Sequence, residues 1–191
     1  AVSTMDKVTY SSDTTAAVPG AALTAARRYL RATGTSTAGY FGGGYVTGNV
    51  STMDKVTYAS DTTAAVPGAA LSIARNGLAA TGNTTHGYFG GGYPGLLSTM
   101  DKVTYASDTT AAVPGAALSL ARYIFAATGN STAGYFGGGA EPSTVSTMDK
   151  VTYASDTTAA VPGAALSLAR YSLAATGNSA AGYFGGGHIG P

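Results

Sequence analysis

The chain has 191 residues and a mass of 18.7 kDa, and only 10% of its residues are charged, against about 25% in an average soluble domain. Ten basic and nine acidic residues give a net charge of +1, which excludes the broad basic field of a non-specific nucleic-acid binder, and the lack of Cys excludes disulfides, thiolate metal sites and cysteine nucleophiles. A hydrophobic fraction of 45% argues against disorder, and we expect neither a membrane span nor a signal peptide, since no apolar run of the needed kind occurs.

Four nearly identical units dominate the sequence. The string STMDKVTY begins at Ser3, Ser51, Ser98 and Ser146, and each copy continues through SDTTAAVPGAAL to a recurrent Arg and then to GYFGGG. We place the units at 3–50, 51–97, 98–145 and 146–191 and expect one domain over 1–191. A charge that recurs in every unit is predicted to belong to the scaffold. The scaffold charges singled out are Asp6, Arg27, Asp54, Arg75, Asp101, Arg122, Asp149 and Arg170.

The second unit shows the predicted elements in chain order. Apolar and polar residues alternate from Asp54 to Tyr58, which predicts a strand. The residues 60–63, Ser-Asp-Thr-Thr, predict a turn, and 63–66 predicts a short outer strand that Pro67 ends. The GYFGG string predicts an aromatic strand whose glycines allow neighbouring backbones to approach closely.

The segment PGAALSLARYSLAATG is ambiguous between helix and strand. Pro at the start, Ala and Leu inside, and Gly at the end favour a helix. Against this, the second copy places Asn76 and Gly77 in the middle of the segment, which is a poor helix interior. A strand interpretation uses the small residues after the recurrent Arg, such as 173–176, as an inner strand. Periodicity alone leaves both alternatives open.

The unit resembles a kelch-type β-propeller repeat, shifted in phase. The aromatic strand with a double glycine is matched by residues 40–44, and the Tyr-containing strand by residues 54–58. An Arg before the innermost strand also resembles the family, at Arg27 and its three equivalents, whereas the family's Trp is missing and a Val such as Val66 lies near its place. The resemblance implies an all-β propeller of four-stranded blades and decides the ambiguous segment in favour of a strand.

Because the sequence units are offset from the family's blades, the resemblance implies that the chain starts with the outer strands of one blade and finishes with the inner strands of the same blade. The two residues before the first STM and the four after the last GGG add up to one six-residue linker. We therefore expect four blades, with the ring closed by pairing of the N-terminal outer strands with the C-terminal inner strands. A monomer is slightly favoured by the Ala-, Thr- and Gly-rich inner segment. The rival assembly is a dimer that forms an eight-bladed ring.

No catalytic constellation emerges from the sequence. His86 and His188 do not recur and lack partners of fixed spacing, a metal site needs more ligands than any unit offers, and GYFGGG lacks the Lys of a phosphate loop. Glu141 is the only acidic residue outside the repeat pattern, whereas a glycan hydrolase needs a carboxylate pair. We expect a non-enzymatic protein without cofactor or metal.

The positions that differ between units are the binding candidates, because loops on a rigid scaffold commonly carry binding. They follow each recurrent Arg or lie in the linkers: Arg28, Tyr29, Arg31, Asn76, Tyr123, Tyr171, Tyr45 and Tyr93. Tyr and Arg are typical interface anchors. The predicted function is a structural or binding module for a protein or glycan. Alternatives are a lectin-like binder with one weak sugar site per blade and an engineered or reconstructed scaffold without ligand.

The GYFGGG and SDTT strings are also similar to kelch-like arrays in tail-associated proteins of marine bacteriophages. This second resemblance implies a virion component, in a tail or fibre, that contacts the host surface.

Overall fold

A computed structural model describes residues 1–190, in which the repeat units form short antiparallel strands and single 3-10 turns. The strands are β1 (Asp6–Thr9), β2 (Thr14–Ala17), β3 (Arg31–Gly34), β4 (Ala38–Gly42), β5 (Met53–Thr57), β6 (Thr62–Ala65), β7 (Ala79–Gly82), β8 (His86–Gly92), β9 (Leu97–Thr104), β10 (Thr109–Ala112), β11 (Ala126–Gly129), β12 (Ala133–Gly137), β13 (Ala140–Glu141), β14 (Ser143–Thr144), β15 (Met148–Thr152), β16 (Thr157–Ala160), β17 (Ala174–Gly177) and β18 (Gly182–Gly185). The 3-10 turns are Pro19–Ala21, Pro67–Ala69, Pro114–Ala116 and Pro162–Ala164.

Three four-stranded antiparallel sheets form the body of the fold. Sheet 1 has the order β3-β4-β5-β6, sheet 2 has β7-β8-β9-β10, and sheet 3 has β11-β12-β15-β16. Each sheet takes its first two strands from one repeat unit and its last two from the next, so every unit boundary lies inside a sheet. This all-β arrangement of repeated sheets is consistent with a β-propeller-like fold.

The ambiguous Pro-Gly segment contains no α-helix within the described chain. In the second unit, a 3-10 turn spans Pro67–Ala69, an irregular stretch follows, and β7 forms at Ala79–Gly82. A helix cannot continue through this stretch, because Gly77 has a φ of +63° and its equivalents in the other units are also positive. The inner-strand interpretation is therefore the one that the structure shows.

The hydrophobic core consists of two clusters, each between successive sheets. The first includes Tyr40 and Met53 of sheet 1 together with Phe89 and Val103 of sheet 2. The second repeats this arrangement between sheets 2 and 3, with Phe136 in the place of Phe89. Burial of these side chains fixes the packing between neighbouring sheets, and the repeat gives each junction the same set of contacts.

Among residues 1–190, the predicted ring closure within one chain is not present. The strands β1 and β2 form a separate two-stranded sheet, the N-terminal hairpin, and β17 and β18 form another, the C-terminal hairpin. The two hairpins do not pair, so the chain has three complete sheets and a fourth that is split between its ends. The packing between successive sheets, which is alike at each junction, does not bring the ends together after four units.

Candidate binding face

The residue after each recurrent Arg is paired with a residue that follows a GGG string. The residue types at both positions are not constant among the units, whereas the backbone arrangement recurs. The antiparallel bridges join Arg28 to Tyr45, Asn76 to Tyr93, Tyr123 to Ala140, and Tyr171 to His188. The structure thus brings the variable loops and the variable linkers together at one end of the sheets. We call this surface the variable face and define it by these eight residues and Tyr29.

A chain of backbone hydrogen bonds links the variable face from one unit to the next. The N–H of Gly77 donates to the carbonyl of Tyr29 (3.0 Å), that of Ile124 to Gly77 (2.6 Å), and that of Ser172 to Ile124 (2.8 Å). All four residues have a positive φ, between 54° and 63°. Because these bonds use the main chain only, the side chains beside them can vary without loss of the arrangement.

Aromatic and charged side chains lie in contact along this face. The guanidinium of Arg28 lies over the rings of Tyr45 and Tyr29, at 5.0 and 5.5 Å from their centroids. The rings of Tyr93 and Tyr123 are 6.2 Å apart. Tyr29 is 55% exposed and Tyr93 is 49% exposed, so both rings are open to a partner. Such a mixture of Tyr and Arg is typical of contacts between proteins.

Sequence reasoning missed two residues at this face: His188, which belongs to the defined set, and Asn49, which extends it. His188, interpreted from the sequence as a loop residue without a role, is exposed and lies 5.6 Å from the ring of Tyr171. Asn49 accepts a hydrogen bond from the side-chain amide of Asn76 at 2.5 Å. The signal in the sequence was that both residues lie in or beside the non-repeating linkers.

Arg31, in contrast, is not brought into this set of contacts. It opens β3, is half-buried, and donates a hydrogen bond to the carbonyl of its neighbour Leu30 at 2.9 Å. Burial lowers the pKa of its guanidinium from the usual value. We interpret Arg31 as a support of the loop rather than as a contact residue.

The recurrent Arg and Asp residues form buried ion pairs behind the variable face. Arg27 pairs with Asp54 at 3.0 Å, Arg75 with Asp101 at 2.9 Å, and Arg122 with Asp149 at 3.0 Å, all with side chains 0% exposed. Desolvation lowers the pKa of each of these three arginines, although the neighbouring carboxylate opposes the shift.

Each of these arginines pairs with an Asp of the following unit, so Arg27 does not pair with Asp6 of its own unit. Arg27 reaches Asp54 because that residue lies on β5, two strands away in the same sheet, whereas Asp6 lies in the N-terminal hairpin. Each Arg also donates from Nη2 to the carbonyl of the Phe in GYFGGG, for instance Arg75 to Phe89 at 2.9 Å. The ion pair therefore anchors the start of the variable loop to the aromatic strand.

A second recurrent cluster joins neighbouring sheets at the opposite end, and sequence reasoning did not identify it. Asp108 accepts hydrogen bonds from Lys55 (2.8 Å) and from the hydroxyl of Tyr40 (2.5 Å), and Tyr40 stacks on Tyr105 at 4.8 Å. Partial burial opposes ionisation of Asp108, but the two hydrogen bonds outweigh it and lower its pKa. Desolvation raises the pKa of Tyr105 to about 12.

The groove beside this cluster has a volume of about 410 Å³ and includes His86 in its lining. The Nδ1 atom of His86 lies 2.8 Å from the hydroxyl of Thr85, and desolvation, with a contribution from Lys102, lowers its pKa. Asp108 is already occupied by Lys55 and Tyr40. Tyr40, Lys55 and Asp108 therefore satisfy one another's hydrogen bonds.

No family model matches this sequence, and no curated protein matches it either. Within residues 1–190, no group of three His, Cys, Asp or Glu side chains lies close enough together to hold a metal ion. The same described residues contain no helix whose length and apolar character would let it cross a membrane.

Proposed function

We propose that the protein is a non-enzymatic structural and binding module of the β-propeller class, built from kelch-like repeats, and that it binds a protein or glycan through the variable face. One observation carries the proposal. Many of the residues that differ between otherwise similar units gather on one surface, around the bridges Arg28–Tyr45 and Asn76–Tyr93. At the opposite ends of the sheets the Ser-Asp-Thr-Thr turn recurs in every unit, although the short turns such as 35–38 and 83–86 differ.

The division between a constant scaffold and a variable face supports binding rather than catalysis. Buried ion pairs such as Arg75–Asp101 fix the loops from behind. The exposed rings of Tyr29 and Tyr93 offer large, rigid contact area at a small cost in side-chain entropy. The similarity of the GYFGGG and SDTT strings to those of phage tail arrays favours a virion component whose partner lies on a host surface.

A lectin-like protein with one site per unit is the second candidate. It is favoured by the recurrence of the Lys–Tyr cluster, since Lys102 and Tyr88 hold Asp156 in the same way as their counterparts in the preceding junction. The engagement of these polar groups with one another leaves few free donors for a sugar. The stoichiometry of binding distinguishes the two candidates, because the variable face predicts one site and the lectin predicts several equivalent ones.

A glycan microarray tests the proposal, with the triple variant Arg28→Ala, Tyr29→Ala, Tyr93→Ala beside the unmodified chain. The matched control is Tyr58→Ala, which removes an exposed Tyr ring (46% exposed) away from the variable face. Strand β5 begins near that face at Met53, and Tyr58 follows the opposite end of the strand. We expect a glycan signal that the triple variant loses at least tenfold and the control retains. A signal unchanged in the triple variant contradicts the proposed face, and several equivalent sites in calorimetry favour the lectin.

A further inference from the structure

The two terminal hairpins are the complementary halves of one sheet. In sheet 3, the hairpin β11–β12 pairs through β12 with β15, and β15 pairs with β16. The C-terminal hairpin repeats the sequence of β11–β12, and the N-terminal hairpin repeats that of β15–β16. Within the described chain, neither hairpin has its other half.

The side-chain series between sheets also breaks off at the C-terminal end. Tyr40 stacks on Tyr105, and Tyr88 stacks on Tyr153 at 4.7 Å. The next member of the series is Tyr135, and the repeat assigns Tyr10 as the ring that stacks on it. Tyr10 is 89% exposed in the single chain. The stacking partner that sheet 3 lacks is thus presented, unburied, at the other end of the same sequence.

The charges at the two ends are complementary. Lys55 and Lys102 pair with an Asp of the next sheet, and the repeat assigns Asp13 to Lys150 in the same way. Among the residues described, the guanidinium of Arg170 donates only to the carbonyl of Phe184 (3.0 Å), and the repeat assigns Asp6 to it. The N-terminal hairpin therefore presents two carboxylates, and the C-terminal end presents the two cations that match them.

A groove at the C-terminal end lies where the missing strands would pair. Its volume is about 490 Å³, and Tyr135, Arg170 and Tyr183 are among its lining residues. A Cβ built on Gly185 meets no atom within 4 Å, whereas one built on its equivalent Gly137 would lie 2.7 Å from the methyl carbon of Met148. The repeat assigns Met5 to this space beside Gly185.

The main-chain series on the variable face ends in the same manner. The N–H of each positive-φ residue donates to the carbonyl of the residue one unit earlier, as Ser172 does to Ile124. Continuation of this series would let the N–H of Tyr29 donate to the carbonyl of Ser172. Five kinds of contact (strand pairing, ring stacking, ion pairing, apolar packing and loop hydrogen bonds) therefore point to the same junction.

We propose that the C-terminal hairpin of one chain pairs with the N-terminal hairpin of a second copy of the chain, and that the reciprocal junction closes a ring of two chains. The register follows from sheet 3, where Ala133 lies opposite Thr152, and it places Ala181 of one chain opposite Thr9 of the other. A head-to-tail contact of this kind generates a closed ring when its rotation closes.

The occupant is a second copy, because the chain's own hairpins remain unpaired although the internal junctions are fully formed. Two chains supply six complete sheets and two shared ones. A ring of about eight sheets lies within the usual range of about four to eight for propellers. In the ring the variable faces of both chains form one continuous surface.

Light scattering after size exclusion, on the unmodified full chain, is the first test. We expect a single species at twice the chain mass of 18.7 kDa, independent of concentration across the micromolar range. A species at the mass of one chain overturns the proposal, because the junction would then be closed within the chain or left open. A polydisperse or larger particle also overturns it, since the contact would then extend into an open filament.

Cysteine cross-linking tests the register, and the natural sequence has no Cys to interfere. Directly opposed antiparallel residues have Cα atoms about 4.5–5.5 Å apart, which a disulfide can span. We expect oxidation of an equimolar mixture of Thr9→Cys and Ala181→Cys chains to give a band at twice the chain mass, whereas each variant alone does not.

The matched control replaces Thr9→Cys with Val8→Cys, which moves the thiol by one residue to the opposite face of the strand. Cross-linking in the control mixture that equals the test mixture contradicts the register. A double Thr9→Cys, Ala181→Cys chain that oxidises only within itself, at the mass of one chain, contradicts the second copy.

Discussion

Replacement of Asp101 by a neutral residue should lower the free energy of unfolding far more than the same replacement of an exposed Asp. Asp101 is 0% exposed, and its Oδ2 accepts hydrogen bonds from Arg75 (2.9 Å) and from the backbone N–H of Ser72 (3.0 Å). The variant Asp101→Asn keeps the side-chain volume but leaves the guanidinium buried without an opposing charge. Removal of one partner of a buried ion pair costs about 3–5 kcal/mol in free energy of unfolding.

The matched control is Asp61→Asn, whose pair with Lys7 is 2.7 Å long but has side chains 50% and 38% exposed. An exposed pair contributes at most about 1 kcal/mol, and Asn tolerates the φ of +50° at this position. With a urea dependence of about 2 kcal/mol per molar, the unfolding midpoint should fall by about 2 M for Asp101→Asn and by less than about 0.5 M for the control.

Urea unfolding followed by far-ultraviolet circular dichroism, at one fixed protein concentration, measures both midpoints. The double variant Arg75→Met, Asp101→Leu should recover part of the loss, because it removes the buried charge together with its partner. Equal unfolding midpoints for Asp101→Asn and Asp61→Asn would refute the argument that burial makes loss of this ion pair costly in free energy of unfolding.

Two further predictions follow from the glycines and from the carboxylates between sheets. Gly91→Ala should destabilise the fold by about 1–3 kcal/mol more than Gly95→Ala in urea unfolding. Both positions have a positive φ, but only at Gly91 would the added Cβ lie 2.6 Å from the carbonyl oxygen of Arg122. Equal losses of stability in the two variants would contradict this packing argument. Asp108 and Asp156 have pKa values held below 3.8, since hydrogen bonds from Lys and Tyr outweigh the opposing effect of burial. Their stabilisation is therefore present above the unfolded pKa and is lost as the pH falls from about 3.8 through the lower folded pKa. The melting temperature of the double variant Asp108→Asn, Asp156→Asn should lie below that of the unmodified chain at pH 6, and the gap should narrow towards pH 3; a gap of constant width would contradict the assignment.

The strand pattern of each unit was predictable from local sequence. Alternation in the DKVTY string and the aromatic GYFGG string defined β5 and β4 correctly, because a strand's period of two is visible in a few residues. The helix-or-strand question in the Pro-Gly segment was not decidable locally. It is settled by the positive φ of Gly77 and by the packing of the small residues of β7 against neighbouring strands.

The partners of the recurrent charges were not predictable from spacing within one unit. Arg27 pairs with Asp54 of the following unit, because the unit boundary lies inside the sheet and the strands of two units alternate there. The Tyr40–Asp108 contact spans two unit boundaries in the same way. The sequence named the residues of the variable face as binding candidates, and that role stays a prediction. Bridges such as Arg28–Tyr45 show that most of these residues lie together, whereas Arg31 lies apart.

The position of the unit boundary inside each sheet has a consequence for how such a chain can grow. A chain cut at any boundary exposes one half-sheet at each end, and the two halves always match, whatever the number of units between them. Duplication or deletion of a whole unit in the gene would therefore preserve the match between the two ends. It would change only the number of sheets and hence the angle between neighbouring sheets that a closed ring requires. In the ring that we propose, the number of sheets would therefore change by whole units without any new interface.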